Sequence, residues 1–389
     1  MNSIFKKGIP VYLSVLILVS VSCNRSRKNN LLPLDKTPSM KTAFIGTYTR
    51  KEGHVDGKGE GIYTIQQNPT TGEIQFGALA ANITNPSFIK ITANKRYLYA
   101  VSELGPGDGE SGFVHSYRIN KDNSLTETGK ISTESYAPCY ITEDPSGKFI
   151  FVANYVGGVV MMYEKKSDGS LIKKERITFE DPENSHPHSV TVSQDNKQVY
   201  ISDLGHDKIW IFDLNEETGV IQPNKVPFIQ LKEGAGPRHF SIANNGKIAY
   251  SINELNSSVS TFKIETTGEL VHLNDISSLP EGFTGKNSAA DIHLHPSGNF
   301  LYVSNRGHNS IAAFKISKET GMPGLLGFTS TKGEIPRNFA ITQDGKYLYA
   351  ANQNSSNITG FSIDQNTGIL KSLEVDLKIN TPVCIEFLN

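Results

Sequence analysis

Four side chains stand out by type and setting: His188 in HPHSV at 186–190, Arg238 in GPRHF at 236–240, Glu254 in the Asn253-Glu254 pair, and Arg306 in LYVSNRGHNSI at 301–311. An imidazole exchanges a proton near neutral pH. A carboxylate deprotonates or orients water, and a guanidinium grips an anionic group through paired N–H bonds. Brought together, such groups suit proton transfer beside a developing negative charge. Arg337, Asp291, Glu103, Asn154 and Asp203 are candidates for holding a substrate. These nine residues run from position 103 to position 337, so only a fold that gathers distant segments makes a site of them.

A repeat supplies that fold. From Lys41 onward the chain recurs as a proline followed by alternating apolar residues, seen at Pro86, Pro138, Pro187, Pro237, Pro336 and Pro382. A seventh copy at Ala289-Ala-Asp-Ile has no proline. Each is followed by a polar turn such as DPSGK at 144–148, then an aromatic-apolar run such as YLYAVS, FIFVAN or FLYVSN. A third alternation then leads to a TG-type turn. The turn glycines Gly72, Gly169, Gly219, Gly268, Gly321 and Gly368 count six units, and Asn123 takes the remaining equivalent place. Asn is the residue that best replaces glycine where φ is positive. Alternation of period two, broken by turns, predicts antiparallel strands, about four per unit. Seven such units predict an all-β fold, a seven-bladed β-propeller of four-stranded antiparallel blades. The last unit has one strand and the first lacks its proline strand, so Pro382–Phe387 should complete the blade begun by residues 42–75 and close the ring. Residues 41–389 are then one domain.

In every unit the start of the proline strand should lie beside the end of the aromatic strand, on one rim of the disc. The starts bring Ser87, Cys139, His188, Arg238, Arg337 and Asp291; the ends bring Glu103, Asn154, Asp203, Glu254, Arg306 and Asn352. The opposite rim receives the DPSG-type turns and reads as plain solvated hairpins. Trp210, alternating with Ile209 and Ile211, reads as blade packing, and His186, His239 and His308 as supporting or surface groups. The Gly-rich stretches at 53–61 and 105–112 join strand to strand, which excludes a dinucleotide fingerprint.

HPHSV, GPRHF, SAADIHLHPSG at 288–298, PRNFAITQDGKYLYAANQ at 336–353 and the opening FIGTYT at 44–49, in that register, resemble the signature segments of the propeller-type lactonases, the 6-phosphogluconolactonase family. The resemblance runs from about residue 42 to the C-terminus. It implies opening of a sugar lactone by water, 6-phosphogluconolactone or a related aldonolactone, with no cofactor. Some other propeller lactonases hold calcium in the channel; the arginines here would oppose a cation, so no metal is expected. A related fungal carboxy-muconate cyclase works with a histidine, two arginines and a glutamate, which by motif correspond here to His188, Arg238, Arg306 and Glu254. His188 is the expected base with Glu254 orienting water or imidazole; the exchanged roles stay open. So do a muconate-type cycloisomerase and a non-enzymatic propeller that binds a glycan or a protein.

The 38 Lys and Arg against 39 Asp and Glu leave no field for nucleic acid, and the expected partner is a small lactone bound by a monomer. Residues 1–22 read as a signal peptide: Lys6 and Lys7, an apolar run from Val11 to Val21, then small residues. Cys23 behind it resembles the lipidated cysteine of bacterial lipoproteins. Residues 23–40 would be a tether, and the protein would be exported to the periplasm or outer membrane and membrane-bound only through a lipid anchor. Cys139 and Cys384 fall on non-neighbouring blades and should not form a disulfide.

Overall fold

A computed structural model describes residues 39–388 except 54, 109 and 110, together with residues 8, 10 and 11. Most of the expected signal, Cys23 and most of the expected tether lie outside the described residues. Seven four-stranded antiparallel sheets follow one another. Blade 1 pairs Pro382–Leu388 with Lys41–Thr47, Gly61–Gln67 and Ile74–Asn82. Blades 2 to 7 span 89–132, 138–178, 187–230, 237–277, 288–330 and 336–378, each with its strands in chain order. The C-terminal strand closes the ring, with Ile385 opposite Ile45 and Phe387 opposite Ala43.

First strands of adjacent blades touch all the way round, so they form the innermost layer. Second and third strands carry the apolar packing. Phe149 and Phe151 of blade 3, for example, interleave with Val199, Ile201 and Trp210 of blade 4. A fully buried side chain of this size contributes about 1.5–3 kcal/mol. Fourth strands alternate exposed and half-buried residues, as an outer layer must.

The repeat glycines hold neighbouring blades together. All six adopt positive φ, as does Asn123 at 64°. That conformation presents the glycine carbonyl to the preceding blade. Tyr99 Oη donates to Gly169 O at 2.8 Å, Tyr200 to Gly268 at 2.9 Å and Tyr250 to Gly321 at 2.6 Å. Tyr302 donates to Gly368 at 2.7 Å and Tyr349 to Gly72 at 2.6 Å. The Asn123 side chain reaches blade 1 instead, donating to Thr42 Oγ1 at 2.9 Å. Cys139 and Cys384 are both buried and unbridged.

Candidate active site at the mouth of the channel

A one-residue β-bulge follows the start of the innermost strand in six blades. The register slips between Pro138 and Tyr140, Pro187 and Ser189, Pro237 and His239, Ala289 and Ile292, and Pro336 and Asn338, and where Pro382 meets Thr47. A bulge re-aims side chains and is common beside functional sites. Here it builds a ring from the residues just after each proline, with Cys139, His188, Arg238, Ala290, Arg337 and Val383 in equivalent places. A second ring comes from the residue just past each second strand, or in blade 6 from its last residue: Tyr48, Glu103, Tyr155, Leu204, Glu254, Arg306 and Gln353.

The two rings enclose a cavity of about 400 Å³. Tyr48, Glu52, Glu103, Cys139, Tyr155, His188, Glu254, Arg306 and Arg337 line it, with Gly105, Ala137 and Val156. Five of the nine predicted site residues therefore share one space. Arg238 is 2% exposed and sits behind the wall. Its Nε lies 2.8 Å from Glu254 Oε2. That distance makes an ion pair, although the N–H does not point along a hydrogen bond to the oxygen. Arg306 Nη2 reaches the other carboxylate oxygen at 2.9 Å. Arg306 is braced by Ser288 O and Ala289 O, each 3.2 Å away.

Burial alone would raise the Glu254 carboxyl pKa, but Arg306, Arg238 and Arg337 together hold it below the ordinary carboxylate range. Glu254 is thus an anion at neutral pH, engaged by two guanidinium groups. Burial, reinforced by the charges of Arg238 and Arg337 and by His239, holds the His188 imidazole well below its ordinary 6.5. His188 is therefore uncharged at neutral pH and able to accept a proton. Its ring meets Tyr155 edge-on at 5.5 Å, and its Nδ1 lies 3.8 Å from Cys139 Sγ. The Cys139 thiol is pushed up by burial and stays protonated. Arg337 packs 5.4 Å over the Tyr48 ring, and among the described residues no carboxylate lies within ion-pair distance of it. Tyr48 in turn donates to Glu103 Oε2 at 2.9 Å.

Three expected substrate-holding residues lie elsewhere. Asn154 is fully buried and turns its amide onto Val152 O and Val159 O of its own hairpin, both at 3.4 Å. Asp203 accepts from Ser185 Oγ, the His186 amide, His206 and Trp210 Nε1, which uses up its carboxylate. Asp291 lies one bulge position deeper, in register with His239 and Asn338. It bonds to His239, His293 and Asn338 inside the channel. The polar residue ending the second strand is turned away from the mouth, and in blades 1, 2, 3 and 5 the next residue, Tyr48, Glu103, Tyr155 or Glu254, lines the cavity. Tyr48 and Tyr155 were missed as site residues for that reason, and Glu52 because it comes from the short hairpin of Lys51–Glu52 and Val55–Asp56, outside the repeat.

The other end of the channel is not plain. A cavity of about 490 Å³ opens there among the first hairpins, lined by Lys90, Glu143, Asp291, His293 and neighbours. Its charges are matched in pairs, with Lys90 on Glu386 at 2.7 Å and Lys165 on Glu143. Among the described residues no three His, Cys, Asp or Glu side chains are arranged to hold a metal ion.

Comparison with known proteins places these features in context. A family model described as lactonase, 7-bladed β-propeller, matches residues 42–387. A 6-phosphogluconolactonase of Formosa agariphila is 36% identical over 312 residues, 77% of this chain and 85% of that protein. The 6-phosphogluconolactonase of Bacillus subtilis is 30% identical over 355 residues, 89% of this chain and 98% of that one. Among solved structures, a periplasmic gluconolactonase of Pseudomonas aeruginosa superposes with a TM-score of 0.84 at 29% identity, covering 90% of this chain and 99% of that one.

Proposed function

The chain belongs to the seven-bladed β-propeller lactonase family, and from that premise we propose that it hydrolyses an aldonolactone in the mouth cavity. The observation that carries the reading is one space lined by an uncharged imidazole, a twice-paired carboxylate and an arginine, Arg337, with no carboxylate at ion-pair distance among the described residues. His188 takes a proton from water as the oxygen attacks the lactone carbonyl carbon. The carbonyl oxygen gathers the negative charge, and guanidinium N–H groups of Arg337 and Arg306 stabilise it. The ring C–O bond then breaks, and the His188 imidazolium returns its proton to the departing alkoxide, leaving a hydroxy acid. Glu254 keeps Arg306 and the attacking water oriented. Its two ion pairs, with Arg238 and Arg306, support this orienting role over the reverse.

An unphosphorylated sugar lactone suits this lining better than a phosphorylated one. Glu52 and Glu103 face the cavity beside Glu254 and offset Arg306 and Arg337. A phosphate of about −2 charge would meet two of those carboxylates with little surplus positive charge. The Pseudomonas neighbour is described as a periplasmic gluconolactonase, which supports export. We place the protein outside the cytoplasm, as a monomer tethered through acylated Cys23. Radiolabelled palmitate incorporated by the wild type and lost in Cys23→Ala supports the tether; equal labelling of both removes it. For the activity, acid release from glucono-δ-lactone and from its 6-phosphate is measured on residues 24–389. Faster turnover of the neutral lactone is expected, and a strong preference for the phosphate would overturn the substrate assignment.

A further inference from the structure

The group behind the cavity wall that orients the catalytic charges is itself held by a buried chain of side chains crossing three blades. Asp291 Oδ1 of blade 6 lies 2.7 Å from His239 Nδ1 of blade 5. An ionised carboxylate only accepts, so Nδ1 carries the hydrogen. That leaves the lone pair on Nε2, which faces Arg238 Nη1 at 3.2 Å, a group that only donates. Asp291 is fixed in turn by the Ile292 amide at 2.9 Å and by Asn338 Nδ2 of blade 7 at 2.6 Å. His239 and Asp291 are both largely buried, on the inner wall of the cavity at the other end of the channel. Besides His239, Nη1 of Arg238 bonds to Ala290 O at 2.5 Å. Without the His239 lone pair the guanidinium is left to pivot on that carbonyl, away from Glu254.

We propose that His239 and Asp291 are positioning residues: Asp291 fixes the tautomer of His239, and His239 holds Arg238 against Glu254. The geometric part stands on its own; the kinetic part rests on the lactonase reading above. His239 also fills space between Tyr140 and Phe88, with ring centroids 5.2 and 6.0 Å away, so a test must separate the ring from its lone pair. His239→Phe keeps the ring and removes both nitrogens. His239→Gln returns an acceptor near the place of Nε2.

The first readout needs no substrate. Nitrogen NMR of the wild type should show the hydrogen on Nδ1 of His239, and that preference should weaken in Asp291→Ala. A hydrogen on Nε2 in the wild type overturns the proposal. Crystal structures should show Arg238 displaced from Glu254 by about 1 Å or more in His239→Phe, a shift large enough to matter for catalysis, and restored in His239→Gln. An unmoved Arg238 overturns it. If His239→Phe does not fold, His239→Asn, which still donates to Asp291 but whose carbonyl oxygen falls short of the place of Nε2, takes its place. With glucono-δ-lactone, kcat should fall about 10–100-fold in the Phe variant, with KM within about threefold of wild type, and largely recover in the Gln variant. Equal loss in both folded variants means the residue only fills space. Absence of activity in the wild type defeats the lactonase reading and leaves the tautomer and the arginine position to decide this one.

Discussion

Arg238 and Glu254 stand 16 positions apart in blade 5, yet the Nε of the first lies 2.8 Å from the carboxylate of the second, one fully buried and the other at the cavity wall. The pair exists because a bulge turns the residue after Pro237 inward while the second strand, one residue past its buried Asn253, releases Glu254 into the mouth.

Replacing Arg238 with Met keeps most of the volume and removes the charge. Glu254 then loses one of its two ion-pair partners and its pKa rises toward the value burial alone would impose. The expected loss in kcat/KM on glucono-δ-lactone is about 10²-fold. Circular dichroism should show the propeller intact. Full activity in the variant would remove Arg238 from the account.

Arg337 should behave differently. No carboxylate among the described residues holds it, so Arg337→Ala leaves no buried anion unpaired. Stability should change little, while catalytic efficiency falls tenfold or more, the equivalent of about 1.5–3 kcal/mol for a hydrogen bond to a charged group. Thermal midpoints and steady-state kinetics on the same preparation check both halves.

The pH dependence follows from His188. Its folded pKa lies well below 6.5, first because of burial and then because of Arg238. The unfolded chain therefore binds the proton first as pH falls, and stability must drop below pH 6.5. The loss grows as the pH falls further below 6.5. His188→Gln cannot take the proton and should lose less stability between pH 7 and pH 5 than the wild type. A thermal midpoint series at the two pH values compares them. Wild-type kcat/KM should in turn stay level down to about pH 6.5 and below, because the imidazole remains unprotonated there.

Blade-to-blade bonding predicts a local cost in the fold. Tyr302→Phe deletes one hydroxyl bond to Gly368 and should cost about 1 kcal/mol. Gly368→Ala should cost more, since φ is 76° and a Cβ would lie 2.4 Å from the Phe300 ring. Denaturant titration ranks the two, and the reverse order would contradict the packing described.

The blades were legible because the repeat states them outright: a proline, a polar turn and a glycine with positive φ recur, with Ala289 in place of one proline and Asn123 in place of one glycine. His188, Glu254, Arg306, Arg337 and Glu103 could be assigned to one rim from the same register. What alternation alone does not reveal is the bulge. It moved Asp291 from the rim into the channel beside His239. Nor does residue type reveal whether a strand-end amide or carboxylate is already spent. Asn154 and Asp203 look like ligands in sequence and act as hairpin locks in space. The cavity at the opposite end escaped for a related reason. Its charges come from mid-strand residues such as Lys90 and His293, which period-two alternation assigns only to an inner face.

The most direct test is acid release from glucono-δ-lactone above the uncatalysed rate, followed at constant pH with residues 24–389 of the wild type and of His188→Gln. A rate enhancement in the wild type that falls by about 10²-fold or more in the folded variant is the expected result. Equal rates from the two proteins would contradict the assignment of the mouth cavity as the place where the lactone is opened.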